Sequence, residues 1–381
     1  MPNHNVLVLG AGKIGSLITC LLSESGDYNV HLANLHVEAA NKLVTQLGLK
    51  NVETSSLDAQ DEKALEATFN TAFNSTNGAS SSNASPNRVK FDAVISSLPY
   101  YCNPSVADLA AKYQVNYFDL TEDVTVTNHV KMVSKNKKTV FMPQCGLAPG
   151  FISIVANAII QNFEKLDTVK MRVGALPVNQ NNALKYSLTW STDGLINEYG
   201  NTCFGIENAK ITNLLPLEGL ETITMDGIHY EAFNTSGGLG TLADTYSGKV
   251  NIMNYKTLRY PGHCKIIKLL MNDLKLNDDR ETLKTILENA IPKTVQDVVL
   301  IYVAVTGYQD SNLFEESYVK KIYPQTIAGK LWSSIQITTA AGICGVVDMV
   351  LNNPGGYTGF VTQESIKLTD FLSNRFGKYY S

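Results

Sequence analysis

A chain of 381 residues is long enough for two domains, at roughly 100–200 residues each. With 44% hydrophobic and 17% charged residues the composition is globular, which excludes wholesale disorder, and a formal net charge of −4 argues against a large basic surface for nucleic acid. The six cysteines (Cys20, Cys102, Cys145, Cys203, Cys264 and Cys344) lie far apart with no CxxC pair, so neither a disulfide framework nor a metal site is expected.

Met1 to Asn5 leads straight into a strand-like run without the basic leader, apolar stretch and cleavage site of a secretory signal, and a cytoplasmic location is expected. The run Asn5 to Leu9 reads as a strand, followed by Gly10-Ala-Gly-Lys-Ile-Gly15 and a helix carrying Leu17, Ile18, Leu21 and Leu22. Tyr28 to Ala33 is a second strand, Val37 to Leu47 a helix and Glu62 to Phe73 another. Asn74 to Asn87 contains only Asn, Ser, Thr, Gly, Ala and Pro, which reads as a surface loop without a chemical role. Strands at Phe91 to Ser97, Val115 to Leu120 and Thr139 to Pro143 continue the alternation. Such alternation predicts an α/β Rossmann fold, a doubly wound parallel sheet with both faces covered.

From Phe151 the pattern changes. A helix over Ile152 to Phe163 precedes the strand Val169 to Gly174, Ile211 to Ala232 alternates like antiparallel strands around the turn signal Asp226-Gly227, and Asp297 to Tyr308 is a further strand. This predicts a second, α+β domain with a mostly antiparallel sheet. The apolar stretch Trp332 to Leu351 is interrupted by Ser333, Ser334, Gln336, Thr338, Thr339 and Asp348, so it reads as a buried or amphipathic helix, and no membrane association is expected.

The glycine pattern follows a strand and opens a helix, the context in which it binds dinucleotides. Gly10 permits the tight turn, Gly12 the approach of a pyrophosphate and Gly15 close helix packing, with Lys13 and Ile14 at the helix start. The ribose-reading position at the end of the second strand falls on Asn34. An amide can bond the 2′-hydroxyl without repelling a 2′-phosphate, so NAD(P) is expected, with NADP slightly favoured; an idle turn residue is the alternative.

Six ordered phrases carry a resemblance: Ser96-Ser-Leu-Pro-Tyr-Tyr101, Phe118-Asp-Leu-Thr-Glu-Asp123, Pro143-Gln-Cys-Gly-Leu-Ala-Pro-Gly150, Leu188-Thr-Trp-Ser-Thr-Asp-Gly194, Glu231-Ala-Phe-Asn-Thr-Ser-Gly-Gly238 and Thr257-Leu-Arg-Tyr-Pro-Gly-His263. Across nearly its whole length the chain resembles the saccharopine dehydrogenase-like family, which includes saccharopine reductases and lysine 6-dehydrogenases. The resemblance implies a dinucleotide-binding domain over 1–124 plus 327–381 and a substrate-binding and dimerisation domain over 125–326, in a homodimer. It also implies an NAD(P)-dependent oxidoreductase acting on a C–N bond of a small amino-acid substrate, of the L-glutamate-forming saccharopine dehydrogenase type. Lysine 6-dehydrogenase and carboxynorspermidine-type reductase activities are alternatives, as is a non-catalytic dinucleotide-binding protein on the same fold.

Oxidising a secondary amine with three carboxylates calls for cationic clamps and a base. Among five arginines, Arg88, Arg280 and Arg375 lie in unpromising places. Arg259, beside a turn, suits a carboxylate grip, and Arg172 either joins it or faces solvent. The candidate catalytic groups are Asp119, at the end of a parallel strand, Cys145 and His263; packing roles are open for Cys145 and His263. Tyr100, Tyr101, Glu122, Trp190 and Ser191 are candidate substrate contacts with Arg259, although Trp190 reads equally well as core. Glu122 shares with Asp119 the strand edge from which a base would act, and Asp123 reads as a helix cap. Ser97, Leu98, Pro99 and Gln144 join the glycine loop as cofactor contacts.

Overall fold

A computed structural model describes residues 3–70 and 90–381; the predicted loop Asn74 to Asn87 and Arg88 lie outside the described residues. The chain forms two compact units, the first comprising Met1–Cys145, Ala340–Val361 and Asn374–Phe376, and the second Gly146–Thr339, Thr362–Ser373 and Gly377–Ser381.

In the first unit strands and helices alternate: β1 (His4–Leu9), α1 (Lys13–Ser25), β2 (Tyr28–Asn34), α2 (Val37–Leu47), β3 (Val52–Ser56), α3 (Glu62–Phe69), β4 (Ala93–Ser96), α4 (Asn103–Tyr113), β5 (Asn116–Asp119), α5 (Val124–Val133) and β6 (Val140–Met142). The sheet order is β3-β2-β1-β4-β5-β6, with Gly359–Phe360 added beyond β6, and every pairing is parallel. This is the predicted doubly wound sheet, whose order reverses between β1 and β4. Val6 to Leu9 and Ala93 to Ile95 are wholly buried, as strands covered on both faces require. Leu17, Ile18, Leu21 and Leu22 form the buried stripe of α1, which ends at Gly26 in the left-handed conformation (φ +78°). Because β6 pairs with β5, this sheet continues past residue 124; the contact division falls at Cys145/Gly146 rather than at the predicted boundary.

The C-terminal return is held by a charged cluster within this unit. Asp348 accepts bonds from the Tyr28 hydroxyl (2.6 Å), Arg375 (2.6 Å) and Asn374 (2.7 Å), while Arg375 also pairs with Asp27 at 2.5 Å. Burial and the Asp348 carboxylate push the Tyr28 hydroxyl far above its ordinary pKa, so it stays a donor.

The second unit contains α6 (Phe151–Ile160), β7 (Lys165–Pro177), α7 (Thr192–Gly200), β8 (Cys203–Glu207), β9 (Lys210–Leu214), β10 (Glu221–Met225), β11 (Ile228–Asn234), α8 (Leu242–Tyr246), β12 (Ile252–Arg259), α9 (His263–Lys268), α10 (Arg280–Ala290), β13 (Asp297–Gln309) and β14 (Asn312–Ile322). Its main sheet runs β10-β11-β12-β7-β13-β14, with β8 on β12 and β9 on β8. Only β12 and β7 run parallel; the other pairings are antiparallel, as predicted. Asp226 (φ +51°) and Gly227 (φ +75°) make the two-residue turn between β10 and β11, both central residues having the positive φ of a type I′ hairpin.

Helix α11 (Ser334–Leu351) is long and apolar enough to cross a bilayer, yet 83% of it is buried within the protein, as in a core helix. Asp297 caps its N-terminus, accepting from the backbone N–H groups of Ser334 (2.6 Å) and Ile335 (3.1 Å).

Replacing Asp348 by Ala leaves the buried Tyr28 hydroxyl and the Asn374 amide without their acceptor. The expected cost is about 2–4 kcal/mol, moderated because Arg375 is partly exposed. A Tm lowered by several degrees in thermal denaturation checks it, and an unchanged Tm contradicts the anchoring role.

Candidate active site

The glycine loop is built by close approach. Gly10 has φ +96°, which only glycine adopts without strain, and its N–H donates to the Ala33 carbonyl at 2.8 Å. A side chain at Gly15 would collide with the Gly10 carbonyl and the Ser97 hydroxyl. That hydroxyl lies 2.8 Å from the Leu9 carbonyl and 3.1 Å from that of Gly10, so β4 grips the turn that α1 packs against. Gly12 is different: its backbone is extended and nothing stands within 4 Å of where a Cβ would sit. Gly12 is also the N-cap of α1 and brings no side-chain acceptor to its first turn. Open space over Gly12 at an uncapped helix start is what a pyrophosphate requires, so these residues fit a bound dinucleotide. Lys13 is exposed and Ile14 half-buried at the same edge.

Asn34 ends β2 beside this loop. Its Oδ1 accepts the Ala11 N–H at 2.9 Å and its Nδ2 donates to the His36 carbonyl at 2.9 Å. The amide thus braces the glycine loop, so Asn34 is no idle turn residue. Its side chain sets a neutral amide, not a carboxylate, at the end of β2.

The ends of β4, β5 and β6 form the rest of the edge. After Ser97 the chain passes Leu98, packed on the core, and exposed Pro99 to Tyr100 and Tyr101, whose rings meet edge-on at 5.7 Å and are 36% and 57% exposed. Asp119 is wholly buried, and its carboxylate accepts from the Tyr117 hydroxyl (2.6 Å) and the backbone N–H groups of Thr121 (2.9 Å) and Gln144 (3.0 Å). Burial raises its pKa while these bonds oppose the shift. Asp119 therefore ties the ends of β5 and β6 together, which corrects its expected role as a base. Gln144, expected as a cofactor contact, has φ +64° and donates its amide Nε2 to Thr127 Oγ1 at 3.1 Å. Cys145 is also buried, with Sγ 2.9 Å from the Met142 carbonyl, the surroundings of a packed thiol. Glu122 is half-buried, and desolvation, reinforced by the neighbouring Asp123 and Asp119 carboxylates, pushes its pKa up to about 7.

In the second unit the expected clamp and shuttle are built into the core. Arg259 is 3% exposed; its Nε donates to the Tyr199 hydroxyl (2.8 Å), Nη1 donates to the Leu258 carbonyl (2.8 Å), and Nη2 lies 3.7 Å from Glu198. The rings of Tyr186 and Tyr199 flank the guanidinium, 5.0 and 5.6 Å away. His263 Nδ1–H donates to the Leu184 carbonyl at 2.9 Å, leaving Nε2 to accept from the Tyr199 hydroxyl at 2.9 Å. Burial, then the Arg259 charge, lowers the His263 pKa to about 3, so it is neutral and locked, not a proton shuttle. The guanidinium from which a carboxylate grip was expected is thus held in the core through Nε and Nη1. Ser191 caps α7, accepting the Gly194 N–H at 3.1 Å, and half-buried Trp190 donates to the Tyr186 hydroxyl at 3.1 Å while packing on the core. Both expected substrate contacts thus also have structural partners within this unit. Arg172 does not face solvent: it is 1% exposed and pairs with Glu221, which also accepts from Lys256. The sequence reading missed Tyr199 and Tyr186; helical spacing with Leu195 and Ile196 marks Tyr199 as core, but not its bonding partners.

The comparisons with known proteins agree with this two-part layout. Residues 6–142 match the saccharopine dehydrogenase NADP binding domain and residues 146–375 the saccharopine dehydrogenase C-terminal domain. The chain belongs to the saccharopine dehydrogenase family. The boundary between these matches coincides with the division at Cys145/Gly146. A relative from Pyricularia oryzae named saccharopine dehydrogenase [NADP(+), L-glutamate-forming] is 24% identical over 352 residues, 88% of this chain and 72% of that protein. A Schizosaccharomyces pombe protein of the same name is 24% identical over 235 residues, 58% of this chain and 46% of that protein. The structure of apo saccharopine dehydrogenase (L-Glu forming) from Saccharomyces cerevisiae matches with a TM-score of 0.73 at 18% identity, covering 97% of this chain and 95% of that one, which shows the shared fold.

As a member of this family the chain should separate two glycine roles. Gly12→Val should leave the fold intact and weaken NADP binding at least tenfold, about 1.4 kcal/mol, whereas Gly15→Ala should lower Tm before any ligand is added. Calorimetric titration and thermal melts of both variants check this, and a folded Gly12→Val with unchanged affinity contradicts it. His263 supplies a pH test. Its folded pKa lies below its unfolded one, so its contribution is complete above pH 6.5 and declines as pH falls towards 3. Urea midpoints across that window should fall more steeply for the wild type than for His263→Gln, and parallel slopes would contradict the neutral, buried histidine.

Proposed function

We propose that this chain is an NADP-dependent oxidoreductase acting on a C–N bond, a saccharopine dehydrogenase of the L-glutamate-forming type. The observation carrying the reading is the match to both halves of that family in one chain, 6–142 and 146–375, joined to a glycine loop whose geometry suits a dinucleotide. Asn34 supports NADP, because a neutral amide stands where a carboxylate would repel a 2′-phosphate.

When bound, the nicotinamide supplies the acceptor for a hydride. The chain's own residues do the remainder. The start of α1 and the surface of Gly12 hold the pyrophosphate, while Asn34 keeps the loop in shape and Ser97 to Tyr101 provide the edge on which the ring rests. A base at this edge removes the amine proton. The second unit is proposed as the substrate-binding and dimerisation domain. The exposed apolar residues Leu313, Phe314 and Val319 on the edge strand β14 support a homodimer. A cytoplasmic location belongs to the same reading.

The test is cofactor reduction with saccharopine, lysine and carboxynorspermidine side by side, each with NADP and NAD. Saccharopine with NADP should show the highest kcat/KM. Faster turnover of lysine alone would move the chain to lysine 6-dehydrogenase, and no turnover of any amine would favour a non-catalytic dinucleotide-binding protein.

A further inference from the structure

We propose that the second unit carries a binding site for an α-amino acid with an apolar side chain, in the cavity between α6, α8 and the turn Gln363–Ser365. The cavity has a volume of about 770 Å³, within the size range of small-molecule sites, and its described lining residues all belong to this unit. They include no residue of the glycine loop or of the ends of β4, β5 and β6, so the inference is independent of the oxidoreductase reading. The cavity lies where α6 ends and β7 begins, about 15 Å of helix beyond Phe151.

Its floor is built around Glu364, which is 9% exposed. Helix α6 fixes the backbone there: Asn157 Nδ2 donates to the Glu364 carbonyl at 2.8 Å. The α8 segment fixes the carboxylate. The Thr241 hydroxyl meets both oxygens, at 3.0 and 2.8 Å, and the Thr245 hydroxyl donates to Oε1 at 2.6 Å. Two hydroxyls supply two protons to a group with about four acceptor positions. They bring no positive charge, and a carboxylate taken out of water calls for one. Tyr246 is fixed beside it, donating to Asn157 Oδ1 and accepting from Gln161 Nε2 at 3.1 Å. Among the described residues the floor is thus a positioned anion held by neutral donors alone.

The rim has the opposite sign. Lys165 and Lys249 are exposed there, with one carboxylate, Glu164, beside them. Lys249 Nζ lies 5.7 Å from the centroid of the Tyr246 ring and Lys165 Nζ 5.6 Å from that of Tyr308, so both ammoniums rest over ring faces. One negative charge on the floor and one net positive charge at the rim match a zwitterion with its ammonium on Glu364 and its carboxylate toward the lysines. Ile160, Phe163 and Leu166 form the apolar wall, which suits an uncharged side chain.

Calorimetry of the full chain with L-leucine tests the site, beside 3-methylbutylamine, which lacks the carboxylate, and 4-methylpentanoate, which lacks the ammonium. One L-leucine should bind per chain, and each analogue at least roughly tenfold more weakly. Glu364→Gln keeps an acceptor for the threonine hydroxyls but removes the charge, and should weaken leucine binding at least roughly tenfold. The double variant Lys165→Ala/Lys249→Ala alters only exposed side chains and should weaken it to a similar degree. A second readout locates the ligand: in 15N-labelled protein, leucine should shift the amide signals of Thr245 and Glu364 and leave that of Gly12 in place. No binding of leucine, an analogue that binds as tightly as leucine, or unaltered affinity in the lysine variant overturns the proposal. So do signal shifts confined to the glycine loop.

Discussion

The nucleotide edge depends on one close approach, that of Gly15 in α1 to the Gly10 carbonyl and the Ser97 hydroxyl. A helix that packs this tightly on its preceding turn cannot carry a side chain at the contact. The approach brings the start of α1 to the carboxyl edge of the sheet, with the bare surface of Gly12 beside it. Asn34 completes the arrangement from β2 by accepting the Ala11 N–H. The ends of three strands, β1, β2 and β4, therefore determine where a phosphate can lie, each through short-range contacts. The uncapped helix start and its dipole then favour an anion at that place.

A second constraint organises the adjoining strands. The Asp119 carboxylate is buried, yet it satisfies two backbone donors on two loops and one hydroxyl. A buried acceptor with three donors stabilises both loops, whereas one without them would be costly. Its effect reaches beyond itself, because it fixes the loop that carries Glu122. Two acidic residues three apart in sequence thus differ in state: one is saturated and structural, the other is half-buried and close to neutrality. Burial and bonding make that difference, not residue type.

The fold was legible because its signals are local. Apolar strands alternating with helical stripes announce a parallel sheet, and the glycine spacing after β1 announces the cofactor edge. Asp226-Gly227 likewise marked a hairpin. The domain boundary was less legible, because pairing of β6 with β5 is a long-range event that composition does not record. The surroundings of the candidate site residues in the second unit were less legible for another reason. Arg259, His263 and Trp190 are types that carry chemistry when exposed, and their sequence neighbours do not say whether Tyr199 and Tyr186 will meet them in a core. Strand alternation offered a partial clue: Tyr255, Thr257 and Arg259 share one face of β12, and all three are buried. Ser191, three residues before Gly194, carried the mark of a helix cap that the substrate reading passed over.

The central claim is that the edge formed by β1, α1 and β2 holds NADP. Titration calorimetry of the ligand-free chain with NADPH and with NADH tests it most directly. One NADPH should bind per chain, at least tenfold tighter than NADH, a difference of about 1.4 kcal/mol. Tighter binding of NADH, or no binding of either, would contradict the account.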